Sequence, residues 1–392
     1  MRTPSHSTVI AYLALFTALS GTAYAAVRVG SKEIKDNSIQ SRDIKNRAIA
    51  LTDISTKARS SLRGQRGAQG AAGAPGAPGG QGPAGPQGPS GVPADAAVVS
   101  ATGTAIENGA QLRAALAALP TATAADPQAI VLGVGHFDAA TGASGFTIPA
   151  YVTLVGQGPH TVVENRTQNF QPVLALGTGA VVRDLSVVNT STTVGARGID
   201  GQTATGTLVD GVTVEARSGI LLRSATVRDV SIRATSEGLR IAAPVTDVNT
   251  EVDNVSITVI GTAASIGVSA LGGGSLDGVD VAVQANPTAT GLIVTATGGA
   301  LFVRNSDFRV AGATAVGVDV DPSGPSTATV HFDHSAARTF GGTGYGFRTS
   351  GSTSRIGSST LGGVTADVSE GAVAQARCVD VHDAGYTTEV NC

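Results

Sequence analysis

The chain has 392 residues, a formal net charge of -3, 52 glycines and no tryptophan. Its near-neutral total hides a division: residues 27–63 carry nine Lys and Arg against four acids, and residues 94–392 carry fifteen against twenty-five. No run of like charges marks a nucleic-acid or membrane-binding tail, which argues against nucleic acid as a partner.

Residues 1–26 place Arg2 before a mostly apolar run from Val9 to Leu19, and then Ala23-Tyr24-Ala25, which fits a small-residue cleavage pattern. This reads as a secretory signal. The run is shorter than the ~20 residues that cross a bilayer, so a secreted or cell-surface protein with no membrane span after cleavage is expected.

Residues 27–63 form a basic stalk in which isoleucine recurs every five residues, at Ile34, Ile39, Ile44, Ile49 and Ile54. That step matches neither the helical period nor the strand period, so a winding or intertwined β structure is expected, with disorder before assembly as the alternative. The segment resembles the isoleucine-bearing decapeptide repeats of bacteriophage tail-fibre stalks, which implies a trimeric β-prism.

From Gly64 to Pro93 every third residue is glycine, in ten unbroken Gly-X-Y triplets. Only hydrogen fits at the axis of three polyproline-II strands, and the prolines pre-set the dihedral angle those strands need. A collagen-like tract of about 90 Å, and with it a homotrimer, is expected.

The remainder, 94–392, alternates short Val, Ile and Leu runs with Ser, Thr and Asp, as strands do. Leu112, Leu116 and Leu119 fall on one helical face and Pro120 ends the run, so a short capping helix is expected over 111–119.

A six-residue phrase then recurs, beginning at Val182, Val209, Val227, Val252, Leu276 and Val303, with starts 27, 18, 25, 24 and 27 residues apart. Its third position holds Asp184, Gly211, Asp229, Asn254, Gly278 and Asn305, the residue types that best tolerate a left-handed backbone. A corner is expected there, with the fourth and sixth positions inward and the fifth outward. Between these lies a second phrase starting at Gly219, Gly238, Gly267, Gly291 and Gly317. A repeat of about 24 residues with glycine corners and stacked aliphatic positions predicts a parallel β-helix.

The start of the domain runs through Asn108 to Leu119, Ile130 to Phe137, Phe146 to Pro149 and Val152 to Gly158. It is similar to the opening of pectin-lyase-like right-handed β-helix proteins. With the signal and the triplets, the chain resembles bacterial secreted collagen-like proteins carrying such a domain, and the end from Cys378 to Cys392 resembles their closing cysteine loop. Both cysteines fall in the last fifteen residues, and a disulfide between Cys378 and Cys392 is expected in an exported chain.

The fold hosts lyases, hydrolases, esterases and binding proteins, so activity must come from residues. The phrases of polygalacturonase-type and pectin-methylesterase-type sites are not found, and the domain has no lysine and few aromatic side chains. The nearest constellation is the outward row containing Asp280 and Asp307, on what should be adjacent coils about 4.8 Å apart. Close carboxylates bind Ca²⁺ or raise one another's pKa, and a solvated polar face is the plain alternative. Continuing the row brings His334 or, with a shift of one, Asp333. Asp319 and Asp321, one strand period apart, form a second Ca²⁺ candidate, and His136 reads as structural.

No cofactor and no dedicated metal site are expected. The expected function is a non-enzymatic secreted or cell-surface protein that displays a β-helix head on a collagen-like trimeric rod, toward an extracellular polysaccharide or surface ligand. A polysaccharide-active lyase or hydrolase is the alternative.

Overall fold

In the computed structural model the described residues are 96–139, 145–242, 250–295, 300–320, 329–349 and 353–363, the main chain of 366–370, 375–379 and 382–383, and short pieces of the first 55 residues. The tract Gly64–Pro93, most of the signal and stalk, Asp321 and Cys392 lie outside them, as does the side chain of Cys378, so the triplets and the expected disulfide are not described. Among the described residues no helix is long and apolar enough to cross a membrane. The chain divides into two compact units, Met1–Gly79 and Gly80–Cys392.

In the first unit, main-chain turns close from Ser38 to Lys35, Asp43 to Gln40 and Ala48 to Lys45, repeating the five-residue step of the isoleucines. A 3-10 turn, Ser41–Asp43, follows Gln40, whose main-chain amide donates to Asp43 Oδ2 at 3.0 Å. Ile34, Ile39 and Ile44 are exposed.

The second unit is an all-β parallel solenoid. A 12-stranded sheet forms its first face, and a 19-stranded sheet folds into two further faces. The long strands Thr213–Leu222 and Ser231–Ile241 run across both of those faces and join them. Each coil is a first-face strand, a corner, a second-face strand, a bend and a third-face strand. Every first-position residue of the phrase lies in register with the next, from Val182 through Val209, Val227, Val252 and Leu276 to Val303.

The corner falls where the third position predicts it. Asp184, Asp229, Asn254 and Asn305 have φ between 49 and 55°, and Gly211 and Gly278 lie at 64 and 63°. The left-handed turn sends the chain from one face to the next without breaking the ladder on either side. The sixth position, Val187 to Phe308, is buried throughout, and with the first and fourth it fills one continuous core.

The ladder continues beyond the six phrases through three more first-face strands, with corners at His334 (φ 47°) and Ser358 (φ 44°) after the first two. The fourth position there becomes a buried serine ladder: the Ser306 amide donates to Ser335 Oγ at 3.1 Å and the Ser335 amide to Ser359 Oγ at 3.3 Å. Phe308, Phe332 and Phe347 fill the same coils with ring centroids 6.1 and 5.9 Å apart.

The second phrase marks the bend. A Cβ on Gly267 would lie 2.6 Å from Gly291 O and 2.3 Å from Val281 Cγ1, and one on Gly238 would lie 2.6 Å from Gly267 O. Glycine is needed because each coil's main chain rests on the next.

The helix Ala105–Ala118 starts six residues earlier than expected, because Thr104 and Glu107 close a capping box. It seals one end of the stack. Leu112 is fully buried, Asn108 Nδ2 donates to His136 O at 2.9 Å, and Arg113 donates to Ala139 O and Gly145 O.

Candidate functional site

Along a second-face strand, alternate residues point outward and three columns form. The first runs Ser256, Asp280, Asp307, Ala336; the second Thr258, Ala282, Arg309, Arg338; the third Ile260, Gln284, Ala311, Phe340. Asp280 and Asp307 are therefore direct partners on adjacent coils, as the repeat predicts. The next residue in the row is Ala336, which corrects the expectation of His334 or Asp333. From Val303 to Phe332 the coil is 29 residues long, which places His334 at the corner itself.

The two carboxylates are tied to the second column. Arg309 pairs with Asp280 and reaches Asp307 Oδ2 with its Nε at 3.8 Å, while Arg338 lies 3.4 Å from Asp307 Oδ1. Burial pushes the Asp307 carboxyl above its ordinary pKa; Arg338 and then Arg309 oppose this, and Asp280 adds to it. The arrangement is an interleaved ladder of two acids and two guanidinium groups, which the register brings together because Arg309 sits two residues beyond Asp307 and Arg338 is the partner of Arg309 on the next coil.

The third column borders a trough. Ile260 and Phe340 are 62% and 52% exposed and stand three coils apart, with the smaller or more flexible Ala311 and Gln284 between them. Gly261, Gly312 and Gly341 follow the column and keep its rim low. Two adjoining hollows of about 440 and 250 Å³ share Ile260, Gln284, Ala311 and Phe340, and Arg309 lines the second. A lining of apolar side chains with one amide and one guanidinium group suits a ligand with one apolar face and polar edges.

On the third face Asp319 is 3% exposed, and Arg348 holds both of its oxygens, Nε to Oδ1 at 2.9 Å and the terminal nitrogen to Oδ2 at 2.5 Å. Its proposed companion, Asp321, lies outside the described residues. Arg240 pairs with Glu237 at 2.9 Å and Arg197 with Asp200 at 3.1 Å on the same face. Near the capping helix, half-exposed His136 meets the buried Glu164 at 3.1 Å, and Arg166 joins Glu164 at 3.1 Å and Asp138 at 4.0 Å. His136 thus has a structural partner. Among the described residues no group of three or more His, Cys, Asp or Glu side chains could hold a metal ion.

Sequence reasoning found the aspartate pair and missed both the arginines beside it and the trough. The signal was parity: Ile260 lies four residues after Ser256, and Phe340 four after Ala336, so both share the outward direction.

No protein-family model matches the chain, and no curated protein sequence is significantly similar to it. Among solved structures it is similar to ORF18 of Geobacillus virus E2, at 14% identity and TM-score 0.37, covering 73% of this chain and 60% of that one. The A-module of the mannuronan C-5 epimerase AlgE6 of Azotobacter vinelandii aligns at 17% identity and TM-score 0.34, over 71% of this chain and 95% of the module. A pectin methylesterase variant in complex with a hexasaccharide aligns at 11% identity and TM-score 0.36, over 75% and 90%. The chain spans about three fifths of the length of the viral protein.

Proposed function

We propose that this chain is a secreted, non-enzymatic display protein whose solenoid head is carried in threes on the collagen-like rod and binds an extracellular polysaccharide or surface glycan in the trough between Ile260 and Phe340. The trough carries this reading. It is an outward, partly apolar depression with an exposed aromatic ring, an amide and a guanidinium group, the chemistry that holds a sugar ring by its flat face and hydroxyl edges. The neighbouring carboxylates Asp280 and Asp307 are engaged by arginines, which suits holding a shape more than moving a proton.

Two features support assembly in threes. The triplets Gly64–Pro93 keep strict phase, and the exposed isoleucines of the stalk leave an apolar row that neighbouring copies would cover. Three heads on one rod multiply a weak contact by avidity.

The reading is tested on the mature chain by sedimentation equilibrium with thermal circular dichroism, and by binding to immobilised neutral and acidic polysaccharides. A trimer with a collagen-like transition, and binding that Phe340→Ala abolishes, are expected. A monomer without that transition would remove the rod, and binding that ignores Phe340→Ala would remove the trough.

A polysaccharide-active enzyme is the second reading, favoured by one observation: Asp307 has a raised pKa and faces Asp280 on the next coil, an acid and base within reach of one bond. Polysaccharide cleavage that Asp280→Ala or Asp307→Ala abolishes would establish it. Cleavage that survives both would remove these residues from it.

A further inference from the structure

The trough has charged neighbours and no net charge. From Ile260 to Phe340 its own column is uncharged, and Arg309 is the one ionisable side chain that lines its two hollows. Arg309 does not stand there as an open cation. Its guanidinium pairs with Asp280 on the preceding coil, and Asp307, two residues before it on the same strand, lies 3.8 Å from its Nε. Arg338 meets the other oxygen of Asp307 at 3.4 Å. Two carboxylates and two guanidinium groups cancel, and the acids remain open to solvent, Asp280 at 52% and Asp307 at 34% of its side chain. Across Ile260, toward the earlier coils, a smaller hollow of about 190 Å³ is lined by Arg217, whose guanidinium donates to Thr192 O at 3.1 Å. That cation lies outside the trough.

This geometry separates the two properties of a guanidinium group, its donors and its charge. Arginine carries several N–H donors in a fixed fork, and the contacts with Asp280 and Asp307 leave some of them for an uncharged hydroxyl. The positive charge is already balanced. A carboxylate or sulfate on a ligand would gain little attraction at Arg309 and would meet Asp280 and Asp307 at close range, where like charges repel. The other polar side chains of the hollows, the amides of Gln284 and Asn286 and the hydroxyl of Thr258, are neutral groups that exchange hydrogen bonds with hydroxyls.

We infer that Asp280 and Asp307 are specificity-determining residues: by cancelling the charge of Arg309 they restrict the trough to neutral glycan chains and turn away chains that bear uronate or sulfate groups. This rests on the glycan reading of the trough. It gives the aspartate pair a task that needs neither a metal ion nor proton transfer, and it makes the arginine a donor to hydroxyls in place of an anchor for anions.

Binding of the full chain to a panel of neutral polysaccharides (dextran, xylan, galactomannan) and acidic ones (polygalacturonate, alginate, dextran sulfate) tests it at ionic strengths of about 0.01 M and about 1 M, where the Debye length falls from about 30 to about 3 Å. The parent should bind a neutral member with an affinity that changes less than about twofold between the two salts. Asp280→Asn with Asp307→Asn should raise the ratio of acidic to neutral affinity at least about tenfold at low salt, the scale of one charge-assisted hydrogen bond, and the gain should vanish at high salt. Adding Arg309→Gln should remove most of that gain. Circular dichroism verifies the fold of each variant, and Asp280→Asn alone, with a smaller gain expected, serves if the double variant does not fold. A variant that folds and gains nothing, or a gain that survives Arg309→Gln, overturns the inference. A parent that binds an acidic member, with the binding lost in Phe340→Ala, overturns it and leaves the trough standing. A parent that binds no member, or whose binding ignores Phe340→Ala, removes the trough and the inference with it.

Discussion

Arg348 embraces Asp319 across two adjacent coils, one nitrogen on each carboxylate oxygen, and Asp319 is almost wholly buried beneath that contact. Removing the arginine leaves a buried charge without its counter-ion. Arg348→Ala should destabilise the head by about 3 kcal/mol, the lower end of the range for a broken buried pair because the arginine itself is partly exposed. Asp319→Val with Arg348→Met should cost much less. Denaturant unfolding of the three chains checks both.

The corner residues give a second test. At Asn254, with φ 52°, Asn254→Gly should change stability by a few tenths of a kcal/mol, whereas Asn254→Val should cost about 2 kcal/mol, because a β-branched side chain clashes in the left-handed region. Asn254 also donates to Asp229 at 2.5 Å, and its loss contributes to the valine and glycine variants alike. The difference between the two therefore reports the backbone strain.

The glycine row at the bend gives a third. Gly267→Ala places a methyl against Gly291 O and Val281 Cγ1 at distances no packed atoms adopt, so two coils must shift. A loss of about 1–3 kcal/mol is expected by equilibrium unfolding. Hydrogen exchange should accelerate first in the coils on either side.

Part of this was legible from residues alone. Asp184, Gly211, Asp229, Asn254, Gly278 and Asn305 announce their corners because few side chains accept a positive φ, and the aliphatic positions around them announce the core. His334 and Ser358 occupy the same corner without that signature, and a coil of 29 residues displaced them from the expected phase. Asp280 and Asp307 were visible as a pair because like residues recur at one position. Arg309 and Arg338 belong to a different column, and only the observed register sets them beside those acids.

On the first face, burial and then Asp277 and Asp229 raise the Asp253 carboxyl above its ordinary pKa, and Arg228, its partner on the preceding coil, opposes them in part. Asp253 holds its proton more tightly in the folded chain than in the unfolded one, so its ionisation lowers stability as pH rises above the ordinary value near 3.8 and through the higher folded value. Asp253→Asn should therefore stabilise the head at pH 7 relative to the parent and have no such effect below about pH 3.8. Thermal midpoints measured across that interval check the sign.

In the trough, Phe340→Ala should weaken glycan binding by about 1–3 kcal/mol, a tenfold or larger change in affinity, while leaving the unfolding midpoint close to the parent because the ring is half exposed. Titration calorimetry against the polysaccharide captured by the wild type separates the two effects.

The glycine row has a consequence for how such a head can change. Because each bend rests on hydrogen atoms and each coil touches only the coils before and after it, one more coil of the same plan lays another rung on the column without redrawing its cross-section. Height is then a variable that duplication or loss of a single repeat can alter.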